Sequence, residues 1–396
     1  MEQERKLANI LVNYSCSLKS GEKVMVEVTD VPDNFLEILL NEIYKVGAYP
    51  FVIRKSAELK RQMLQNMNQS YALTLKKYMM PIMKDMDAYI SIRGINNKYE
   101  LCDVNQENIK TFTTCYQDDV VEERVNNTKW VILNYPTSAL AQEANLSTLA
   151  FKEYFYLVCN LDYEQMDKSM NQLKELMEKT DKVHIVGNGT DLTFSIKGMP
   201  AIKCAGKCNI PDGEVYTAPI KDSVNGVVSY TIPSIYDGKK FDNIKLKVKD
   251  GKIIEAESSN TAGLNFILDT DEGARYFGEF SLGVNPYIKK PMLDILFDEK
   301  MFGSFHLTPG RCYEDADNNN QSSIHWDMVC CQTKEYGGGD IYFDDVLIRH
   351  DGLFVLPNLQ NLNFAEPKQV DWVKNFKYVK SSKFNYCFYI LHTIFS

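Results

Sequence analysis

Four apolar, β-branched runs punctuate the first third of the chain: "KVMVEVT" (23–29), "AYPFVIR" (48–54), "DAYISIRG" (87–94) and "KWVILNYP" (129–136). Between them lie stretches that read as helix, an amphipathic one from Asn34 to Lys45 and a longer one from Ala57 to Lys84. Strands separated by a dozen or more residues of helical pattern cannot form tight hairpins. They pair in parallel, with the helices as crossovers. This repetition predicts an α/β N-terminal domain with a Rossmann-like parallel sheet over residues 1–180. No strand in it leads into G-x-G-x-x-G and no P-loop is present, so the architecture predicts no nucleotide cofactor. The "GNG" at 187–189 reads as a turn between two strands.

Near Lys179–Asp181 the texture changes to short alternating runs separated by Gly, Asp and Asn. "DNIKLKVKDGKIIEAES" (242–258) predicts a hairpin, because Asp-Gly sits between two alternating segments. "GDIYFDDVLIRHDGLFVLP" (339–357) continues the pattern. Residues 181–364 are therefore expected to form an α+β, mostly β C-terminal domain carrying the chemistry, and 396 residues suit two cores better than one. The basic, aromatic segment 365–396 reads as a removable extra tail. A net charge of −9 without a basic stripe excludes nucleic acid as the main partner. No run reaches the roughly 20 apolar residues of a membrane span. The N-terminus lacks the apolar core of a signal peptide, which predicts a cytoplasmic protein, and the ten scattered cysteines read as free thiols.

Potential metal-binding donors concentrate in four stretches of the second half. "IPDGEVYTAP" presents Glu214, "FGEFSLGVNP" presents Glu279, "GSFHLTPGRCYE" presents His306 and Tyr313, and "SIHWDMV" presents His325 and Asp327. Each alone has an ordinary structural explanation, and none has the H-E-x-x-H spacing of a local metal site. In "SIHWDMV" the period-two alternation predicts a strand with Ile324, Trp326 and Met328 on one face and His325 and Asp327 on the other. "CAGKC" (204–208) lacks a second Cys/His pair at zinc-knuckle distance.

Taken together and in order, "LANILVNYSCSLKSGEKVMVEV", "GAYPFVIR", "NIPDGEVYTAP", "GEFSLGVNP", "GSFHLTPGRCY" and "IHWDMV" resemble the aminopeptidase T/S family of bacterial metallo-aminopeptidases, over residues 5–363. The resemblance implies metal ligands at Glu214, Glu279, His306, Tyr313, His325 and Asp327, with Glu299 not counted among them. It implies two divalent metal ions (Zn, Co or Mn), Glu279 or Asp327 as the bridge, Glu214 or Glu279 as the base, and Tyr313 as a ligand or oxyanion donor. It further implies short peptides as substrate and a homodimer with an enclosed site. A rival of the same fold is a mononuclear Fe(II) ring-cleaving dioxygenase, for which His306, His325 and Asp327 would form a facial triad. Glu214 and Glu279 discriminate the two, because an iron site of that kind does not need both.

Overall fold

The four apolar runs form β1 (Lys23–Thr29), β2 (Tyr49–Lys55), β3 (Ala88–Arg93) and β4 (Lys129–Asn134) in a computed structural model that describes residues 1–363 except Asp237. The tail expected from 365 onward lies outside the described residues. The strands pair in parallel in the order β2-β1-β3-β4. β3 is buried over five of its six residues, as a parallel strand covered on both faces must be, whereas β2 at the edge is largely exposed. The crossover helix Asp33–Val46 buries Phe35, Leu36, Leu39 and Ile43, a 3–4 spacing that makes one apolar stripe. It stops at Gly47, whose left-handed φ of 81° ends helices at no steric cost. The stretch 57–84 is two helices rather than one, Ala57–Gln65 and Gln69–Lys84. Asn68 breaks it, leaving helical geometry so that its side-chain oxygen can accept from the Tyr71 amide at 3.0 Å.

After a helix at Tyr163–Lys179 the chain becomes β-rich. β5 (Lys182–Gly187) and β6 (Thr190–Ser195) are joined by Asn188-Gly189, both at positive φ, the two-residue turn that "GNG" signals. β7 (Ile202–Cys204) follows, and then β8 (Asn209–Ile210) returns to the first sheet, adding a fifth parallel strand beside β4. β9 (Glu214–Thr217), β10 (Asn225–Ser229) and a small ribbon of β11 (Ser234–Tyr236) with β12 (Lys239–Phe241) come next. β13 (Lys245–Lys249) and β14 (Lys252–Glu257) are the hairpin predicted from Asp250-Gly251. The remaining strands are β15 (Phe277–Gly283), β16 (Ser304–Pro309), β17 (Val329–Cys331), β18 (Asp340–Phe343), β19 (Val346–His350) and β20 (Leu353–Phe354). They complete two antiparallel sheets, an eight-stranded one ordered β14-β13-β10-β6-β5-β18-β19-β20 and a five-stranded one ordered β17-β16-β15-β9-β7.

The five-stranded antiparallel sheet carries the candidate site. Every residue of β9, β15 and β16 is buried, so this sheet is enclosed and its polar side chains face one another instead of water. Among the described residues no helix is long and apolar enough to cross a membrane.

Candidate metal centre

Glu214 opens β9 and pairs with Gly283 of β15, two residues beyond Ser281. Glu279 sits within β15, at a register shift opposite Thr308 of β16. It is on a fully buried strand, 3 % exposed. Bulges of this kind re-aim a side chain locally. His306 lies on β16 across from Ser281 and is 1 % exposed.

His325 and Asp327 depart from expectation in one respect. Their segment joins no strand ladder before β17 at Val329, and His325 makes only an isolated bridge to Gly310. It is nevertheless extended, held by Arg311 N to Ile324 O (2.7 Å) and Trp326 N to Pro309 O (3.1 Å). The alternation survives: Ile324, Trp326 and Met328 are buried in the core, and His325 and Asp327 face the carboxylates. Gly310 permits this approach. Its φ is +107°, and a Cβ there would stand 2.1 Å from the Ile324 carbonyl oxygen.

These strands bring donor atoms into two adjoining groups. Glu214, Glu279 and His306 form one, and Glu279, His325 and Asp327 the other, with the candidate ligand atoms of each within 4.8 Å of one another. Glu279 belongs to both. One of its oxygens, Oε1, lies 3.0 Å from His306 Nε2, and the other, Oε2, lies 3.3 Å from His325 Nε2. Glu214 Oε2 stands 3.5 Å from His306 Nε2, and Asp327 Oδ1 stands 3.2 Å from His325 Nε2.

Both imidazoles are oriented the same way. His306 Nδ1 is 3.2 Å from the Glu299 carbonyl and His325 Nδ1 is 2.7 Å from the Arg311 carbonyl, so each Nδ1–H donates to backbone. That arrangement turns each Nε2 inward, and it is the usual way a protein fixes a metal-ligating histidine. His325 Nε2 is buried and makes no hydrogen bond. The carboxylates are braced too: Ser281 donates to Glu214 Oε2 at 2.9 Å and Thr308 to Asp327 Oδ1 at 2.6 Å.

The electrostatics show a cluster short of positive charge. Burial works against a charged His306, yet Glu279 and Glu214 push its pKa up to about 9. Burial likewise disfavours ionised Glu279, but the two imidazoles hold its pKa below the ordinary value. Asp327 is held well below the usual carboxylate range, against burial, by His325. Glu299 and Asp212 go the other way, to about 8 and about 7, because burial among like charges outweighs the offset from Lys300.

Tyr313 is placed differently from the other candidates. It is 43 % exposed, and its ring packs at 4.7 Å on His325 and 5.6 Å on Tyr216, which puts it at the rim. The Asn-rich segment after it is no idle loop. Asn318 donates to the Pro219 and Phe277 carbonyls, and Asn320 to the Gly273 and Gly310 carbonyls, all from buried side chains. Sequence reasoning missed Lys300 and Asp212, both 1 % exposed beside Glu214. The available signal was "LFDEKMF", a charged triplet inside an apolar run. Cys204 groups with Asp212 and Glu214 rather than with Cys208.

Residues 1–352 match the family model described as thermophilic metalloprotease (M29). The chain belongs to this family. Curated relatives include aminopeptidase AmpS of Bacillus subtilis, 25 % identical over 77 % of this chain and 83 % of the relative. Aminopeptidase T of Thermus thermophilus is 25 % identical over 78 % and 85 %. Aminopeptidase 2 of Geobacillus stearothermophilus is 37 % identical over a shorter stretch, 35 % of this chain and 36 % of the relative. The solved structure of wild-type AmpT from Thermus thermophilus superposes with a TM-score of 0.77 over 90 % of this chain and 99 % of that one. At 21 % identity that likeness speaks for the fold. The family member is a hydrolase of the metal-dependent peptidase class.

Proposed function

We propose that the chain is a dinuclear metal-dependent aminopeptidase that releases N-terminal residues from short peptides. The observation that carries this reading is the shared carboxylate: Glu279 turns one oxygen to each of two donor groups, each completed by an imidazole aimed through Nε2. The donor set fits divalent cations, with three carboxylates, two imidazoles and one buried nitrogen lacking a partner. Glu214, Glu279 and His306 would hold one ion, and Glu279, His325 and Asp327 the other. Mixed nitrogen and oxygen ligands suit Zn²⁺, Co²⁺ or Mn²⁺. When bound, such a pair supplies an acidified water and a polarised scissile carbonyl.

The chain's own groups do the rest. Glu214 turns only Oε2 to the centre, because Lys300 occupies Oε1, while both Glu279 oxygens face imidazoles; the water's proton goes to one of these two carboxylates. Tyr313, at the rim beside His325, would donate its phenolic hydrogen to a substrate oxygen. Removing metal should abolish release of amino acids from aminoacyl-anilides, and Zn²⁺, Co²⁺ or Mn²⁺ should restore it. Glu279→Gln should lose one or both ions and nearly all turnover while keeping its fold. Full activity in demonstrably metal-free protein would sink this reading. One iron per chain with oxygen consumption on a dihydroxy-aromatic would replace it with the dioxygenase.

A further inference from the structure

Lys300 takes no proton in the reaction just described, yet it is a cation only 1 % exposed beside the candidate ligands. Its ammonium is 2.6 Å from Glu214 Oε1, contacts Glu299 Oε1, and is 3.9 Å from Asp212 Oδ1. A lysine in such a place faces a large desolvation penalty, and only the surrounding carboxylates keep it charged. Five carboxylates crowd this volume: Asp212, Glu214, Glu279, Glu299 and Asp327. With all five ionised, the state that bound cations enforce by displacing protons, they carry −5, and the one ammonium reduces that to −4. Two divalent cations carry the remaining charge with none left over.

We propose that Lys300 is a positioning residue that acts as the fixed third cation of the centre, neutralising the Asp212, Glu214 and Glu299 side so that the site is balanced by two exchangeable divalent ions. The count of two rests on the dinuclear reading above; the sign of the lysine's effect does not. By occupying Glu214 Oε1 the ammonium leaves that carboxylate a single oxygen, Oε2, for an ion. Asp212 needs no metal to stay in place, because the Gly206 and Gly213 amides donate to it at 2.6 and 3.0 Å.

A fixed positive charge this close repels a divalent ion, so neutralising it must tighten ion binding, and neutralising a carboxylate must loosen it. The test is a Zn²⁺ titration of the full-length apo-protein against a chromophoric chelator. Lys300→Met should raise affinity at least tenfold, and Glu299→Gln should lower it by a similar factor. The pair Lys300→Met/Glu299→Gln should return to within about threefold of wild type, as should Lys300→Arg. A lysine that only props up the fold predicts the opposite pattern, with lower affinity in Lys300→Met and a further drop in the pair, and that result overturns the proposal. If Lys300→Met does not fold, the pair compared with Glu299→Gln alone decides: the added lysine change must tighten binding. One Zn²⁺ per wild-type chain with the expected signs refutes the dinuclear reading and leaves Lys300's role standing. Two Zn²⁺ with reversed signs do the converse, and a chain that binds none refutes both.

Discussion

Replacing Arg349 by Met should unfasten the sheet that carries the ligands. Arg349 is 1 % exposed, and its guanidinium hydrogen bonds go to the backbone. It donates to three carbonyls: Ser304 O at 2.7 Å, Gly283 O at 3.1 Å and Gly352 O at 3.1 Å. Gly283 ends β15 and Ser304 begins β16, so one side chain ties together the two strands bearing Glu279 and His306. Hydrogen bonds from a charged donor contribute about 1.5–3 kcal/mol each, so three contribute roughly 5–9 kcal/mol. Against this stands the penalty of burying the charge, which lowers the arginine's pKa from 12.5 to about 10, equivalent to roughly 3 kcal/mol. The methionine recovers part of the packing on Phe354, whose ring lies 5.1 Å from the guanidinium carbon. The net loss should be about 2–5 kcal/mol, read as a lower urea midpoint of the metal-free protein. Divalent-ion affinity should fall in parallel. A loss under about 1 kcal/mol, or full stability with unchanged ion binding, would refute the idea that this cation clamps the strands.

Gly310→Ala should cost at least about 3 kcal/mol, since a strained φ is joined by a backbone clash; thermal unfolding in chelator measures it, and loss of the ion held by His325 should accompany it. Asp271 accepts from the Ala274 and Ser323 amides and from both the Ser322 and Ser323 hydroxyls, and these bonds outweigh burial to bring its pKa from 3.8 to about 2. Because the folded value is depressed, its contribution is fully present above about pH 4 and is lost as pH falls toward 2. Asp271→Asn should therefore be less stable by about 1–2 kcal/mol at pH 7 after allowing for solvent screening, and indistinguishable from wild type at pH 2. Sedimentation at low micromolar concentration should give about twice 45.5 kDa, and truncation after Asn363 should leave that mass a dimer less the tails; a monomer would remove the enclosed-site expectation.

Much of this molecule was legible because its signals are local. The four parallel strands begin and end within a residue or two of the apolar runs, and Asp250-Gly251 and Asn188-Gly189 turn where their dipeptides require. The pairing of His325 with Asp327 on one face followed from period two, although no ladder enforces it: β16 has run out by Pro309, and isolated backbone bonds do the holding. What stayed hidden is charge burial, which is a property of the folded whole. "DEK" reads as a solvated triplet until Asp298 is seen accepting the Met292 and Leu293 amides and Lys300 is seen among three carboxylates. The burial of Arg349 is hidden for the same reason. The single break at Asn66–Asn68 was readable in principle from its capping asparagine, but a long helical pattern masked it.

The two-residue β8 has a bearing on how such a chain can be cut and recombined. It takes its backbone partners from the first sheet, through Ile132 N to Cys208 O at 2.9 Å, and four residues past its end the same chain delivers Glu214. Asn134 Nδ2 to Asp294 Oδ2 at 3.0 Å and Lys98 Nζ to Leu293 O at 3.2 Å stitch the same neighbourhood. The amino-terminal half supplies no candidate ligand, yet it is the jig on which one ligand strand is set. A hybrid spliced at residue 180 from two diverged parents would graft one parent's fifth strand onto the other's sheet, and the misfit would surface first at Glu214. Swaps that keep β4 and β8 from the same parent should tolerate far greater divergence elsewhere.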